Sequence, residues 1–480
     1  MMINFENSYT HLPTVFFSPT RPAKFSSPKL CLFNRELAEK IGLALTSEND
    51  EELALLFSGQ KLFGGGCYIS TVYAGHQFGH FNPQLGDGRA ILIGEILSSE
   101  GKRFDLQLKG AGPSLYSRRG DGLSAIGPVV REYIVSEAMA ALGLPTTRAI
   151  AAVATGEFVY RQERVPAGVF TRLASSHLRI GSFEFFAARG DLASLRALTD
   201  YTIKRHYPEC LNSPLPELDF FRAYSRRFLS LVAEWMRIGF IHGVMNTDNC
   251  AISGETLDFG PCAFMDEFKR QKVFSSIDHG GRYAYDNQGP IALWNLSSLA
   301  GCLLRLIEAD HKNAKELLQT ELNSLSEVFE TFWLQSMGGK IGLLATNKND
   351  RELIDLWLNY LEEKSLDFTI AHQEFIDAVE NDSFDRFSQL PTEFITLWKK
   401  TTADFQKTDM LSLMKGRSPV AIPRNHLVEQ AIAQAEKGDY NAFKELHHAL
   451  KNPYSRELTP EFVKIPPKLS ERVTQTFCGT

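Results

Sequence analysis

Two aspartates and an asparagine crowd one short stretch of this chain. Asp248 and Asn249 are neighbours, and Asp258 follows nine residues after Asn249, at the head of Asp258-Phe259-Gly260. Asn249 and Asp258 offer hard oxygen ligands of the kind magnesium takes. Such an ion bridges phosphates and neutralises charge that develops in group transfer. Asp248 is the natural general base of the loop, a role worth about 10²–10⁴ in rate. Its plainer alternative is a turn aspartate in Asn246-Thr247-Asp248-Asn249. His242, seven residues before Asn249, reads as packing rather than catalysis.

Upstream stand residues suited to holding phosphates. Lys109 ends a strand and Glu132 lies in the helix that follows. A carboxylate partner holds a lysine ammonium in one geometry over nucleotide phosphates. Gly86-Asp87-Gly88-Arg89 and Ser117-Arg118-Arg119-Gly120-Asp121-Gly122 combine glycines with arginines. Glycines let backbone N–H groups approach phosphate oxygens, and arginines add charge. Arg172 and Arg179 add two further cations for a ligand carrying about four negative charges, as ATP does. Singly, each of these groups also suits a solvated turn or surface; their order along the chain gives them weight together.

The elements that must position them are legible. Ala90–Leu97 and Phe104–Lys109 alternate as strands around a turn at Ser98–Lys102. Val129–Leu142 reads as a helix closed by Gly143. Ala149–Ala154 and Glu157–Gln162 read as a second hairpin, and Gly168–Leu173 as a strand. Beyond about residue 190 the period is helical, over Phe220–Ile238, Ile291–Ala309, Ala314–Met337, Arg351–Glu363 and His426–Lys437. The class is therefore α+β, a small β-rich part before a large helical one. The expected division is an N-terminal extension over 1–60, a nucleotide-binding lobe over 61–187 and a helical lobe over 188–480, with a linker near Phe183–Gly190.

Net charge of −6 argues against a general nucleic-acid binder. No apolar run reaches the roughly 18 residues that span a bilayer, and residues 1–7 lack the form of a secretion signal, so no membrane partner and a cytoplasmic location are expected. The seven cysteines form no C-x-x-C pair, which counts against a disulfide framework or a structural zinc site. Cys478 stands alone near the C-terminus, as an inert thiol or a redox handle. Oligomeric state is not legible.

The spacing of His242, Asn249 and Asp258-Phe259-Gly260 matches the catalytic and metal loops of protein kinases, but the kinase base position holds Val244, which accepts no proton. Several longer segments resemble the selenoprotein O family over most of the chain. They are Tyr73-Ala74-Gly75-His76-Gln77-Phe78-Gly79, Leu85-Gly86-Asp87-Gly88-Arg89-Ala90, Leu108-Lys109-Gly110-Ala111-Gly112-Pro113, Leu144-Pro145-Thr146-Thr147-Arg148-Ala149 and His242 to Asn249. Gly281-Arg282-Tyr283-Ala284-Tyr285-Asp286-Asn287-Gln288 and Arg424-Asn425-His426 continue it.

The resemblance implies a protein-kinase-like two-lobed fold that binds ATP in a flipped orientation. It implies transfer of AMP to Ser, Thr or Tyr hydroxyls of proteins, with release of pyrophosphate. By the same resemblance, nucleotide contacts fall on Gly86, Gly88, Arg89, Lys109, Asp121, Gly122, Arg172 and Arg179, the base on Asp248, and magnesium ligands on Asn249 and Asp258 (manganese is open as the ion). Glu132 would be the partner of Lys109. A flipped nucleotide brings the acceptor hydroxyl in from a new direction, which leaves the residue at position 244 without a task. Cys478 looks like the counterpart of a selenocysteine carried by some members; Cys262 is the nearest cysteine to the metal loop but offset from the position that some bacterial members use. The rivals are a conventional phosphotransferase, favoured by Asp258-Phe259-Gly260, and an inactive nucleotide-binding pseudokinase scaffold.

Overall fold

The structure is a computed structural model describing residues 3, 5–43, 45, 48–161, 163–307 and 311–477. The N-terminal part is built on an antiparallel sheet. Its strands run, from edge to edge, Phe17–Pro19, Ile69–Thr71, Ala90–Leu97, Arg103–Lys109, Arg164–Ala174, Arg148–Tyr160 and Lys29–Phe33, with Ser124–Ala125 also paired to Arg164–Ala174. Both edge strands come from the first sixty residues, so that segment completes the sheet.

The central strands carry β-branched and aliphatic residues on both faces because both are covered. Ile91, Ile93, Leu106, Leu108, Val153 and Val169 pack against the helices Arg35–Lys40 and Asp50–Phe57. The helix Ile126–Ala141 covers the other face through Val130, Ile134 and Ala138. It begins two residues before Pro128, within the first turn, where a missing N–H costs nothing.

In place of the expected hairpin of Ala149–Ala154 with Glu157–Gln162 there is one long strand, Arg148–Tyr160, paired antiparallel with Arg164–Ala174; Gln162 lies outside the described residues. Gly156, which falls between the two expected strands, stays inside the long one with φ +83°, where a Cβ would stand 2.9 Å from Ser27 Cβ. It marks a close backbone approach rather than a reversal.

The C-terminal part is helical. Pro216–Arg237 is its central rod, with Phe221, Tyr224, Phe228, Val232 and Trp235 on one stripe at spacings of three and four. Tyr224 and Phe228 stack at 5.7 Å, and each such ring buried contributes about 1.5–3 kcal/mol. Gln288–Ile307 and His311–Lys340 pack on this rod. The span Tyr285–Ile307 is long and apolar enough to cross a membrane by length and composition, which the run-counting expectation missed; Leu296, Leu299 and Leu303 of it are buried in the core. The supposed linker near Phe183–Gly190 is helical from Ile180 to Ala187 and buries Phe183, Phe185 and Phe186. Helices Asp50–Phe57, Leu192–His206, Phe368–Glu380, Thr392–Thr401, Lys407–Arg417 and Asn441–Ala449 were not expected from periodicity.

Candidate active site

Strand register creates the first part of the site. Gln107 and Lys109 share a face of their strand, and Arg172 lies directly opposite Gln107 on the neighbouring strand. Arg172 Nε donates to Gln107 Oε1 at 2.8 Å, and Arg172 Nη1 to Glu132 Oε1 at 3.2 Å. The other oxygen of Glu132 accepts from Lys109 Nζ at 2.6 Å. One helix carboxylate therefore holds two strand cations. Lys109 also pairs with Asp258 Oδ1, and Arg172 stands 3.8 Å from that same atom.

Asp258 reaches them because its backbone is left-handed, with φ +70°, a conformation aspartate tolerates better than most residues. Burial by itself would raise its carboxyl, but Lys109, Arg172 and Arg179 outweigh burial and hold it well below the usual carboxylate range.

Asp248 is the opposite case. Its Oδ1 is buried and has no hydrogen-bond partner, and its Oδ2 accepts only a 3.3 Å bond from Gln77 Nε2. Burial pushes its carboxyl up to about 6, against the pull of Arg179. Arg179 donates to the backbone oxygen of Asp248 at 2.9 Å, lies 3.7 Å from Asp87 Oδ1 and stacks 4.4 Å over the Tyr73 ring.

The Asp248 loop is clamped by residues that motif reading passed over. Thr247 Oγ1 donates to Glu184 Oε2 at 2.6 Å and accepts from His76 N at 2.7 Å. His76 Nδ1 meets the second oxygen of Glu184 at 2.6 Å. Gly75 lies so close that a Cβ there would stand 2.7 Å from Asp248 Oδ1. The Tyr73–Gly79 run is thus the wall against Asp248. Its sequence carried the family resemblance but no role of its own.

Gly86, Gly88, Arg89, Asp121 and Gly122 line one cleft of about 460 Å³, with Tyr73 and Arg118. Gly86 has φ +76°, and a Cβ there would strike Tyr116 at 2.5 Å, so the loop crossing requires glycine with or without a ligand. Asp121 is held by Arg161 at 2.9 and 3.2 Å. The structure therefore sorts the sequence-predicted residues into three adjoining groups: the glycine cleft, the cluster of Lys109, Glu132, Arg172 and Asp258, and the Arg179–Asp248–Asn249 loop. Tyr73 borders the first and carries Arg179 of the third, and Asp258 joins the second to the loop by sequence.

Asn249 Nδ2 donates to Val244 O at 3.0 Å, which leaves its Oδ1 as the free ligand atom. No group of three or more His, Cys, Asp or Glu suited to a metal occurs among the described residues. A divalent cation here would draw on the oxygens of Asn249 and Asp258 and on phosphates and water. Magnesium usually binds in that way, so the donor set fits it.

His242 is buried and neutral in its bonding, Nε2 meeting Leu257 O at 3.0 Å, and burial lowers its pKa. It packs, as its residue type suggested. Asn425 brackets the strand Ala263–Phe264 by bonds of 3.1 and 2.7 Å to Phe264, so the Arg424–His426 motif braces the strand that follows Asp258-Phe259-Gly260. Cys478 lies outside the described residues. The tail before it is anchored, with Thr476 Oγ1 donating to Pro261 O at 2.6 Å. Burial pushes the Cys262 thiol up to about 12.

A family model described as protein adenylyltransferase SelO matches residues 1–451. Relatives of similar sequence carry the name protein nucleotidyltransferase YdiU. That of Rhizobium etli is 47% identical over 486 residues, covering 99% of this chain and 97% of its own. That of Agrobacterium fabrum is 46% identical over 489 residues, covering 100% of both. That of Rhodopseudomonas palustris strain BisB5 is 48% identical over 488 residues, covering 99% of both.

Proposed function

The chain belongs to the SelO protein adenylyltransferase family, and from that premise we propose that it moves AMP from ATP to Ser, Thr or Tyr hydroxyls of proteins, on magnesium, within a kinase-like two-lobed fold. The class of the reaction, protein nucleotidyl transfer by an enzyme, comes with the family. The finer reading concerns which atoms do what.

The observation that carries it is the buried, unpartnered Oδ1 of Asp248, ten residues before the Asp258 that gathers Lys109 and Arg172. A carboxylate near pKa 6 is ionised at pH 7 and still basic enough to take a proton from a hydroxyl. Val244, at the kinase base position, has no basic atom to offer. Arg179 contacts the Asp248 backbone, while Lys109 and Arg172 concentrate positive charge at Asp258. In this reading the α-phosphate lies between those cations and Asp248, and the outer phosphates lie in the Gly86–Gly88 cleft near Arg89 and Arg118. Glu132 keeps Lys109 and Arg172 in register. Magnesium on Asn249 and Asp258 would supply charge neutralisation to the phosphates. Asp248 accepts the hydroxyl proton, the acceptor oxygen bonds to the α-phosphorus, and pyrophosphate leaves. Lobes over 61–187 and 188–480, with 1–60 as an extension, are the division that goes with this reading.

The test is transfer of label. Full-length protein with magnesium and acceptor proteins receives ATP labelled at either the α- or the γ-phosphate. Protein-bound α label is expected. Protein-bound γ label would make the enzyme a phosphotransferase instead, and neither label with ATP still bound would make it a scaffold.

A further inference from the structure

Two features are left unassigned by the nucleotide site: what the hairpin Gly75–Asn82 does beyond its first residues, and what Arg282 does. The chain brings them together. The Phe78 ring stands 5.1 Å from the Tyr283 ring. The Tyr283 hydroxyl donates to Asn246 Oδ1 at 2.6 Å, and the same oxygen accepts from Phe78 N at 3.1 Å. Asn246 is two residues from the base Asp248, and Gln77 of the hairpin bonds that base directly. The hairpin therefore starts at the catalytic carboxylate and ends at Phe81, which is 40% exposed.

Arg282 lies against this hairpin. A Cβ on Gly79 would stand 3.5 Å from Arg282 Cζ. Its guanidinium sits 4.8 Å over the Trp294 ring. Trp294 in turn meets the His76 ring edge-on at 5.1 Å. The Arg282 Nε is buried without a hydrogen-bond partner, and no Asp or Glu among the described residues forms an ion pair with it. The carboxylate nearest in sequence, Asp278, is occupied by the backbone N–H groups of Arg282 and Tyr283 at 2.9 and 2.8 Å. A stacked, half-buried guanidinium not engaged by a carboxylate among the described residues is suited, through its Nη atoms, to a planar carboxylate. The polyphosphate already has its own cations in Lys109, Arg89, Arg172 and Arg179, so Arg282 is free for another anion. Aromatic rings around an arginine are the composition of a protein-binding hot spot.

We infer that the Gly75–Asn82 hairpin, Arg282 and Trp294 form the acceptor-docking platform, and that it takes a protein segment with an acidic side chain close to the acceptor hydroxyl. This rests on the AMP-transfer reading and adds the class of acceptor. Arg282 is here a substrate-binding residue, with no part in the chemistry at phosphorus.

The experiment uses the full chain with magnesium and a non-hydrolysable ATP analogue. The probes are two fluorescent peptides, one with a tyrosine flanked by glutamates and one with the tyrosine flanked by lysines. Fluorescence anisotropy is expected to show the acidic peptide binding about tenfold or more tightly than the basic one. Arg282→Gln is expected to remove that preference and Arg282→Glu to reverse it, while analogue affinity in both variants stays at the wild-type value and certifies their fold. No preference in the wild type, or variants that bind the acidic peptide as the wild type does, overturns the platform. Loss of the analogue along with the peptide also overturns it, because Arg282 would then be holding phosphate. Replacing the analogue by α-labelled ATP in parallel samples tests the underlying reading separately: peptide that is bound with the expected preference but unlabelled supports the platform and sinks AMP transfer.

Discussion

Asp248 and Asp258 lie ten residues apart on one loop system, the first buried and the second with a quarter of its side chain exposed, and their surroundings drive their protons in opposite directions. Asp258 faces Lys109 and Arg172 and is held ionised far into acid. Asp248 faces Gln77, Gly75 and a backbone contact from Arg179, and burial leaves it close to neutrality. The lesson is that burial decides nothing until the neighbours are counted. With cations beside it, a buried carboxylate becomes a permanent anion suited to a metal; without them it becomes a base.

The largest effect should come from Asp258→Ala. It removes a proposed metal ligand and leaves Lys109 and Arg172 with one fewer anion, so α-label transfer should fall below detection. Breaking that buried pair should cost about 3 kcal/mol of stability, read by denaturant unfolding. A variant that transfers label normally would end the assignment of Asp258 to the site.

Asp248→Asn should lower kcat by about 10²–10⁴ with ATP affinity retained. The same variant should be more stable at pH 7. The folded carboxyl binds its proton more tightly than the unfolded one, so its ionisation opposes folding fully above about pH 6 and ceases to do so below the unfolded pKa. A displacement from 3.8 to about 6 corresponds to at most about 3 kcal/mol. If this variant were less stable than the wild type at pH 7, the contrast between the two aspartates would be misread. Asp258 behaves in the reverse sense: its contribution is present above the unfolded pKa and is lost only in strong acid.

Glu132→Gln should release Lys109 and Arg172 from their shared partner and raise the KM for ATP about tenfold or more, since charge-assisted bonds of this kind are worth about 1.5–3 kcal/mol. An unchanged KM would show that strand register alone places the two cations. The gentlest probe is pH. kcat/KM should fall tenfold per unit below about pH 6, as Asp248 takes up its proton, and a flat profile down to pH 5 would remove it as the base.

Much of this was readable before the fold. The strands around the turn at Ser98–Lys102, the helix bearing Glu132 and the long helix ending at Arg237 follow from period and punctuation. The hairpin expected at residues 149–162 failed because Gly156 signals a reversal locally, while the approach of Ser27 that it accommodates is over a hundred residues away. The helix Phe368–Glu380 was passed over although Phe368, Ala371, Phe375 and Val379 recur at spacings of three and four and are all buried. Gln77 and Glu184 carry no motif chemistry of their own; they matter through what they touch.

The sequence by itself determined the donor atoms: which side chains could hold a metal, cradle a phosphate or take a proton. Tertiary structure alone decided their charge states and company. It set Lys109 against Asp258, 149 residues away, and Gln77 against Asp248, 171 residues away. A carboxyl's proton affinity is a property of the dielectric and charges within a few ångströms of it, and those are assembled only when distant segments pack.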